Sequence, residues 1–450
     1  MNPKFLNSII AAAATAALTS AAWSAVTADE AKPLGTSLTW WGAEVAGNKD
    51  GSIPAYTGGL KNPPPVKTDA KGYVNYPDPF ASEKPVVRIT AANMAQYADK
   101  LTEGAKTLLK KNADYYIDVY PTQRTTTYPD AIKAATLRNA TQCKTTRNGV
   151  ALEQSCRGGI PFPVPKTGFE VMWNKLIPYH NAEYHSSQGW TVDTTGRPVM
   201  ASQIRTYADM TYFREVNEKN RFQVLAATYE APPRLAGSMN GTQDFLDPDA
   251  HPRLSYAYTP GQRRVRLAPE FSYDTPLATA GGAQFYDDIY LFFGKMDRFD
   301  FKLIGKKEMY IPANSYKLYL SKAEQLLKPK FINPELDRWE LRRVWVVEAT
   351  LKPGERHAYS KRVYYFDEDN QTLGMVDTYD QGKSLYRTGF MYGIQMWDQG
   401  YTYGTTYAIY DFIKNMYSIG SYQGGEGFKW VDAQPERDLT PDAIVAKAIR

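Results

Sequence analysis

The chain has 450 residues, a formal net charge of +5 and two cysteines. Its charges are mixed, with no basic block beyond Lys-Lys and Arg-Arg pairs, which argues against the clustered cationic face of a nucleic-acid binder. The compositional excess is aromatic, with 33 Tyr, 18 Phe and 9 Trp: a large core, a lipophilic cavity or stacking platforms for sugars would each use them.

Residues 1–28 read as a secretory signal peptide. Lys4 is the sole charge before Asp29, an Ala-rich apolar run follows, and small residues close it at "WSAVTA". Cleavage after Ala28 places Val26 and Ala28 at the specificity positions; Ser24 and Ala25 are alternatives. The strongly apolar part is short for a membrane anchor, and no second span of about 18 apolar residues occurs. The expected compartment is the periplasm, possible outer-membrane association included. The exit carries no cysteine for lipid attachment. About 420 mature residues suit several average domains or one large β domain with decoration.

Residues 29–88 are rich in Gly, Pro, Asn and Asp, so no long helix fits. Trp40, Trp41, Ile53, Tyr56, Tyr73, Tyr76 and Phe80 are too many large apolar groups for a disordered tail. An extended arm packed on the body is expected. Its "NKDGS" at 48–52 lacks the downstream Glu of a calcium loop and reads as a turn.

Residues 89–180 read as helical and irregular. A helix capped by Thr90 carries Met94, Tyr97, Leu101, Ala105 and Leu108 at helical spacing. "DYYIDVYPT" is strand-like, and "YPDAIKAATLRNA" opens a second helix at Pro129. Cys143 and Cys156 are an even pair in an exported chain, which reads as one disulfide worth roughly 3 kcal/mol; metal or redox use of the pair is the alternative. In "CRGGIPFPVPKTGFEVMWNK" the prolines hold an extended entry, and Thr167 with Glu170 forms a capping box for the helix after it. Phe169, Met172, Trp173 and Leu176 share one face, which either packs in the core or lids a cavity.

Residues 181–450 change to strands. "RFQVLAATYE" is one. "RLSYAYTPGQRRVRLAP" is a hairpin alternating Leu254, Tyr256 and Tyr258 and turning at Pro260-Gly261. Residues 342–390 form a meander with turns at "KPGE", "DEDN" and "DQGK". Their spacing suits antiparallel neighbours in one curved sheet. The expected fold is α+β, mainly β. A short helix at "SKAEQLLKP" carries a Ser321/Glu324 capping box, and Thr440 caps a terminal helix.

Catalytic signatures are scarce. His180 and His185 flank Glu183, but their spacing does not place both on one helix face for zinc; His251 and His357 stand apart. No metal-protease, nucleophile-elbow, phosphate-loop or dinucleotide motif occurs. The carboxylates of "FDEDN" could serve glycosidic acid–base chemistry, but on a hairpin they read as solvated turn residues. Arg263, Arg264 and Arg266 crowd one hairpin: a solvated face, or a site for an anionic head group. No cofactor and no metal is expected.

Six stretches, from "SLTWWGAEVAGNKDGSIPAYTGGL" and "YPTQRTTTYP" through "GGIPFPVPKTGFEVMWN", "YTPGQRRVRLAPEFSYDTP" and "DRFDFKLIGKKEMYIPAN" to "RRVWVVEATLKPGERHAYSKRVYYFDEDN", together resemble the Gram-negative exported family catalogued as domain of unknown function 1329. The resemblance runs in order along nearly the whole mature chain. It implies a fold similar to the LolA/LolB lipoprotein carriers: an incomplete barrel with helices on its concave, apolar side. It also implies association with hydrophobe-exporting transporters of the resistance-nodulation-division type and an outer-membrane partner, and it supplies no catalytic residues. The expected activity is carriage of a lipid or lipophilic small molecule, not catalysis. Phe169, Met172 and Trp173 are the candidate lid, and Phe222, Tyr256 and Tyr258 the candidate sheet lining. Binding of glycans or envelope polymer is the alternative, and a hydrolase a more distant one.

Overall fold

A computed structural model describes residues 25–215, 219–267 and 273–448; of the signal peptide expected over 1–28, residues 1–24 lie outside them. The core is a long antiparallel sheet made of two meanders. The first contains β1 (Glu183–Val192), β2 (Pro198–Asp209), β3 (Arg221–Ala231), β4 (Met239–Phe245), β5 (Leu254–Thr259) and β6 (Arg264–Leu267). The second contains β7 (Phe299–Pro312), β8 (Trp339–Leu351), β9 (Lys361–Asp367), β10 (Gly374–Tyr379), β11 (Leu385–Met396), β12 (Tyr401–Asp411) and β13 (Met416–Tyr422). Each strand pairs antiparallel with the next in its meander. β13 pairs with β1 through Tyr417↔Val192 and Ile419↔Trp190, which welds the meanders into one curved sheet. No pairing joins β6 to β7 among the described residues, so the barrel is incomplete. A parallel contact of Ile117–Tyr120 with β8 makes the sheet mixed.

Local chemistry sets the turns. Pro260 opens the β5–β6 turn, and Arg263 closes it in the left-handed region at φ 49°. Gly354, at φ 88°, closes the β8–β9 connection without the steric cost a side chain would bring.

The second meander is covered on both faces, as its nearly continuous burial along β8 and β11 shows. One face carries Val344, Val346, Met375, Phe390 and Tyr410 and packs against helix α1 (Glu103–Lys111). The other carries Val347, Ala349, Val376, Met391 and Ile409 and packs against helix α3 (Gly168–Leu176) and residues 285–296. Helix α2 (Asp130–Gln142) lies beside the 158–160 turn, its Asn139 amide donating to the Gly159 carbonyl. The terminal helix α4 (Pro441–Ala448) covers one face of the first meander through Ile444 and Val445.

The N-terminal arm is irregular and held by buried Trp41, Ile53, Tyr76 and Phe80. Cys143 and Cys156 are bonded, with Cα atoms 4.5 Å apart. The Thr167/Glu170 capping box forms at the start of α3 as the sequence predicts.

Three local expectations change. The helix expected from Thr90 is broken: a 3-10 segment covers Met94–Lys100, Leu101 is extended, and α1 restarts at Glu103. Thr102 accepts the Ala105 N–H at 3.1 Å, so a second cap competes with continuation. Ser321 does not cap the helix after it. Its hydroxyl donates to the Leu318 carbonyl at 2.7 Å and closes the preceding Tyr316–Leu320 helix. The "FDEDN" turn is buried rather than solvated. Asp369 pairs with Arg124 at 2.7 Å and Arg342 at 3.2 Å, and Glu368 with Lys306 at 2.7 Å and Arg343 at 3.3 Å. The arm lies over this turn: its Val45 and Ala46 carbonyls accept from Arg124 and Arg343.

Candidate functional site

The site grows from a mismatch between the meanders. Residues 273–293 cross over the first meander as a strap rather than a strand. Between strap and sheet lies a cavity of about 260 Å³. Along β3 the residues Leu225, Ala227 and Tyr229 share one face by the two-residue period of a strand. They stand level with Thr242 and Asn240 on β4 and with Ile204 and Thr206 on β2. That face lines the cavity; the strap closes it with Leu277, Ile289, Tyr290 and Phe293. Tyr407 of β12 lies over Gly420, where any Cβ would meet its ring at 2.3 Å, so the glycine makes room for an aromatic wall.

The strap is tied down in two ways. Gln284 donates to the Tyr407 hydroxyl at 3.1 Å and accepts from Ser418 at 3.1 Å, spanning the cavity's edge. Behind it, Asp287 and Asp288 enter a buried ionic cluster on the second meander. Asp287 meets His357 Nε2 at 3.0 Å and also pairs with Arg362. Asp288 accepts from the Tyr359 hydroxyl at 2.8 Å and pairs with Arg387 at 3.2 Å, which also holds Asp411 at 2.9 Å. Burial would raise the Asp287 carboxyl, but Arg362 and His357 hold it below its ordinary range. Burial, reinforced by Asp287, pushes Asp288 up. Tyr290 and Leu291 both take left-handed backbone, at φ 51° and 68°. Such strain persists only where surroundings over-determine it; here Leu291 and Phe292 are buried in the core while Tyr290 faces the cavity.

Two further cavities adjoin the first. A compartment of about 60 Å³ shares Leu225, Arg253, Tyr290 and Phe293 with it. A third, about 270 Å³, lies beyond Leu176, Phe222 and Arg253. Lys175 reaches the small compartment from α3. It is buried, and its Nζ lies 3.4 Å from the Thr372 carbonyl. Burial pushes its pKa down to about 7. Arg253 Nε holds Asp244 at 2.6 Å while its guanidinium stacks 4.0 Å over Phe293.

The residues singled out from sequence fall in different places. Phe222 separates these two further cavities, and Trp173 stands edge-on to it at 6.0 Å, its indole N–H donating to the Gly149 carbonyl. Phe169 packs on Phe301 at 5.1 Å and Met172 is fully buried; neither lines any of these three cavities. Tyr256 borders the large cavity, but its ring lies across Gly241 among Val224, Ala226 and Met239, on the face under α4. Tyr258 packs on that same face. Arg263, Arg264 and Arg266 are exposed on the outer hairpin and form no ion pair among the described residues. Sequence reasoning missed Leu225, Ala227, Tyr290, Phe293, Tyr407 and Lys175. The available signal was the both-parity apolar run "VLAA" in β3, which marks a strand covered on two faces.

The histidines find polar or aromatic partners. His180 contacts the Asn181 carbonyl, His185 the Glu183 carboxylate at 3.1 Å, His357 the strap, and His251 the ring of Phe245. Among the described residues no group of three or more His, Cys, Asp or Glu could hold a metal, and no helix is long and apolar enough to cross a membrane.

A family model described as protein of unknown function (DUF1329) matches residues 88–445. The uncharacterized protein PA3922 of Pseudomonas aeruginosa is 40% identical over 438 residues, 95% of each chain. Among solved structures, a putative outer membrane lipoprotein-sorting protein domain from Vibrio parahaemolyticus is similar at TM-score 0.40 and 13% identity, over 59% of this chain and 92% of its own. A DUF1329 family protein from Desulfovibrio piger is similar at TM-score 0.39 and 13% identity, over 58% of this chain and 91% of its own.

Proposed function

The chain belongs to the DUF1329 family, and from its site we propose that it carries a lipophilic molecule through the periplasm, as an accessory of a hydrophobe-exporting transporter of the resistance-nodulation-division type. One observation carries this reading: the cavity between strap and half-barrel is walled by Leu225, Ala227, Ile289, Tyr290, Phe293 and Tyr407. A tail placed there gains about 25 cal/mol for each Å² of apolar surface removed from water. Rings held between strap and sheet, with Tyr290 and Phe293 only partly exposed, favour a lipid tail over a sugar, because sugar-stacking platforms need open faces. Release requires the strap to move or a partner to offer a better site. Arg263, Arg264 and Arg266, exposed at the outer edge of the sheet, supply guanidinium forks for an acidic partner surface.

The test is native mass spectrometry of protein purified from the periplasm, followed by organic extraction, together with an Ala227→Phe variant that fills the cavity. A bound lipophile in the wild type, lost in the variant, is expected. A wild type that is empty and ignores a panel of fluorescent lipids would sink the carrier reading.

A further inference from the structure

The small compartment beside the large cavity has an unusual wall. Its titratable groups are Lys175, His180, His185, Arg253, Tyr290 and Tyr403, with no carboxylate among its lining residues. Two carboxylates outside the lining pair with groups in it, each leaving one oxygen buried and unpaired. Asp244 holds Arg253, and Glu183 holds His185 and the Tyr403 hydroxyl. Lys175 therefore has no counter-ion among the described residues, and its one hydrogen bond is the long contact to Thr372.

A buried ammonium without a partner is costly, and a hydrophobic side chain of similar size would be more stable in its place. An uncompensated cation at the wall of a cavity marks a place where a ligand supplies the missing charge. The compartment's 60 Å³ is about two water volumes. That accommodates a carboxyl group and its first methylene, not a phosphodiester with a glycerol backbone. Leu225, Arg253, Tyr290 and Phe293 line both this compartment and the 260 Å³ apolar cavity. A tail passing between them would leave its head at Lys175.

We infer that the ligand is a single-tailed lipophile with a carboxylate head, which forms an ion pair with Lys175 while its tail fills the cavity beneath the strap. This rests on the carrier reading and specifies its cargo. The depressed lysine fits: it is poised near neutrality, and a carboxylate arriving beside it draws it into the charged form.

Decanoic acid and decanol share one tail, of a length that the 260 Å³ cavity holds, and differ at the head. Their affinities would be measured at pH 7 by displacement of dansyl-undecanoic acid or by calorimetry, on the full chain and on Lys175→Met. The wild type should prefer the acid by about ten- to hundred-fold, the range of a hydrogen bond to a charged group. Lys175→Met should lose that preference and keep its affinity for the alcohol. Thermal unfolding of the variant shows whether it is folded, and the wild-type comparison stands without it. Equal affinity of the wild type for both ligands overturns the head-group assignment and leaves the carrier reading intact. So does an acid preference that survives in folded Lys175→Met. Failure to bind either ligand overturns both.

Discussion

The two meanders are built from the same antiparallel pairing but have opposite burial. Strands β8 to β11 and the Ile409 end of β12 are covered on both faces, by α1 on one side and by α3 with the strap on the other. Strands β1 to β5 are covered by α4 on one face and stand off the strap on the other, where the cavity lies. The first is a filled three-layer body, and the second is a shell. The difference teaches where function can reside: close packing leaves no room for a ligand, whereas a strap that spans a sheet without filling it leaves a pocket.

The largest expected effect comes from breaking the ionic anchor that joins the halves. Arg362→Met leaves Asp287 buried with His357 as its remaining partner in the pair. Removing one member of a buried pair costs about 3–5 kcal/mol. Chemical denaturation should show a loss of that size, and the strap should become protease-sensitive near residue 290. A variant as stable as the wild type would mean that the strap is held by packing alone.

A sharper test uses identical chemistry in each half. Ile409 is 2% exposed in the filled body, whereas Ile204 lines the cavity. Ile409→Ala should cost about 3 kcal/mol, because it opens a void among fixed neighbours. Ile204→Ala should cost about 1 kcal/mol, since one side of its side chain already faces empty space. Equal costs would mean that the cavity collapses onto Ile204 in solution, and the contrast between shell and body would disappear.

Much of this architecture was legible. The β8–β11 turns, the β5–β6 hairpin, the α3 capping box and the disulfide follow from turn residues, alternation and cysteine count, all local signals. What was not legible is non-local. The strap carries no strand or helix period, and nothing in its sequence says which sheet face it crosses. Parity was the second obstacle. Tyr256 and Tyr258 are the conspicuous residues of β5, yet the register Gly241↔Tyr256 aligns Tyr256 with the α4 face, and the smaller Ser255 and Ala257 face the cavity. The acids of "FDEDN" read as solvent-facing until Arg124, 245 residues away in the chain, is brought beside Asp369.

The smallest effect, and the one most specific to the shell, concerns Lys175 in the ligand-free protein. Its folded pKa is about 7, against an ordinary value of 10.5. A lysine depressed on folding binds fewer protons native than unfolded between those two values, so its contribution becomes more favourable as pH rises through that window. The destabilisation is fully present below pH 7 and gone above the ordinary lysine range. Lys175→Met removes it. At pH 7 the variant should be more stable by roughly 1–3 kcal/mol, and the gain should shrink steadily as unfolding is followed towards pH 10. A gain independent of pH would assign the effect to packing. No gain at all would mean that the ammonium already has a counter-ion in solution, which delipidation before measurement would reveal by restoring the difference.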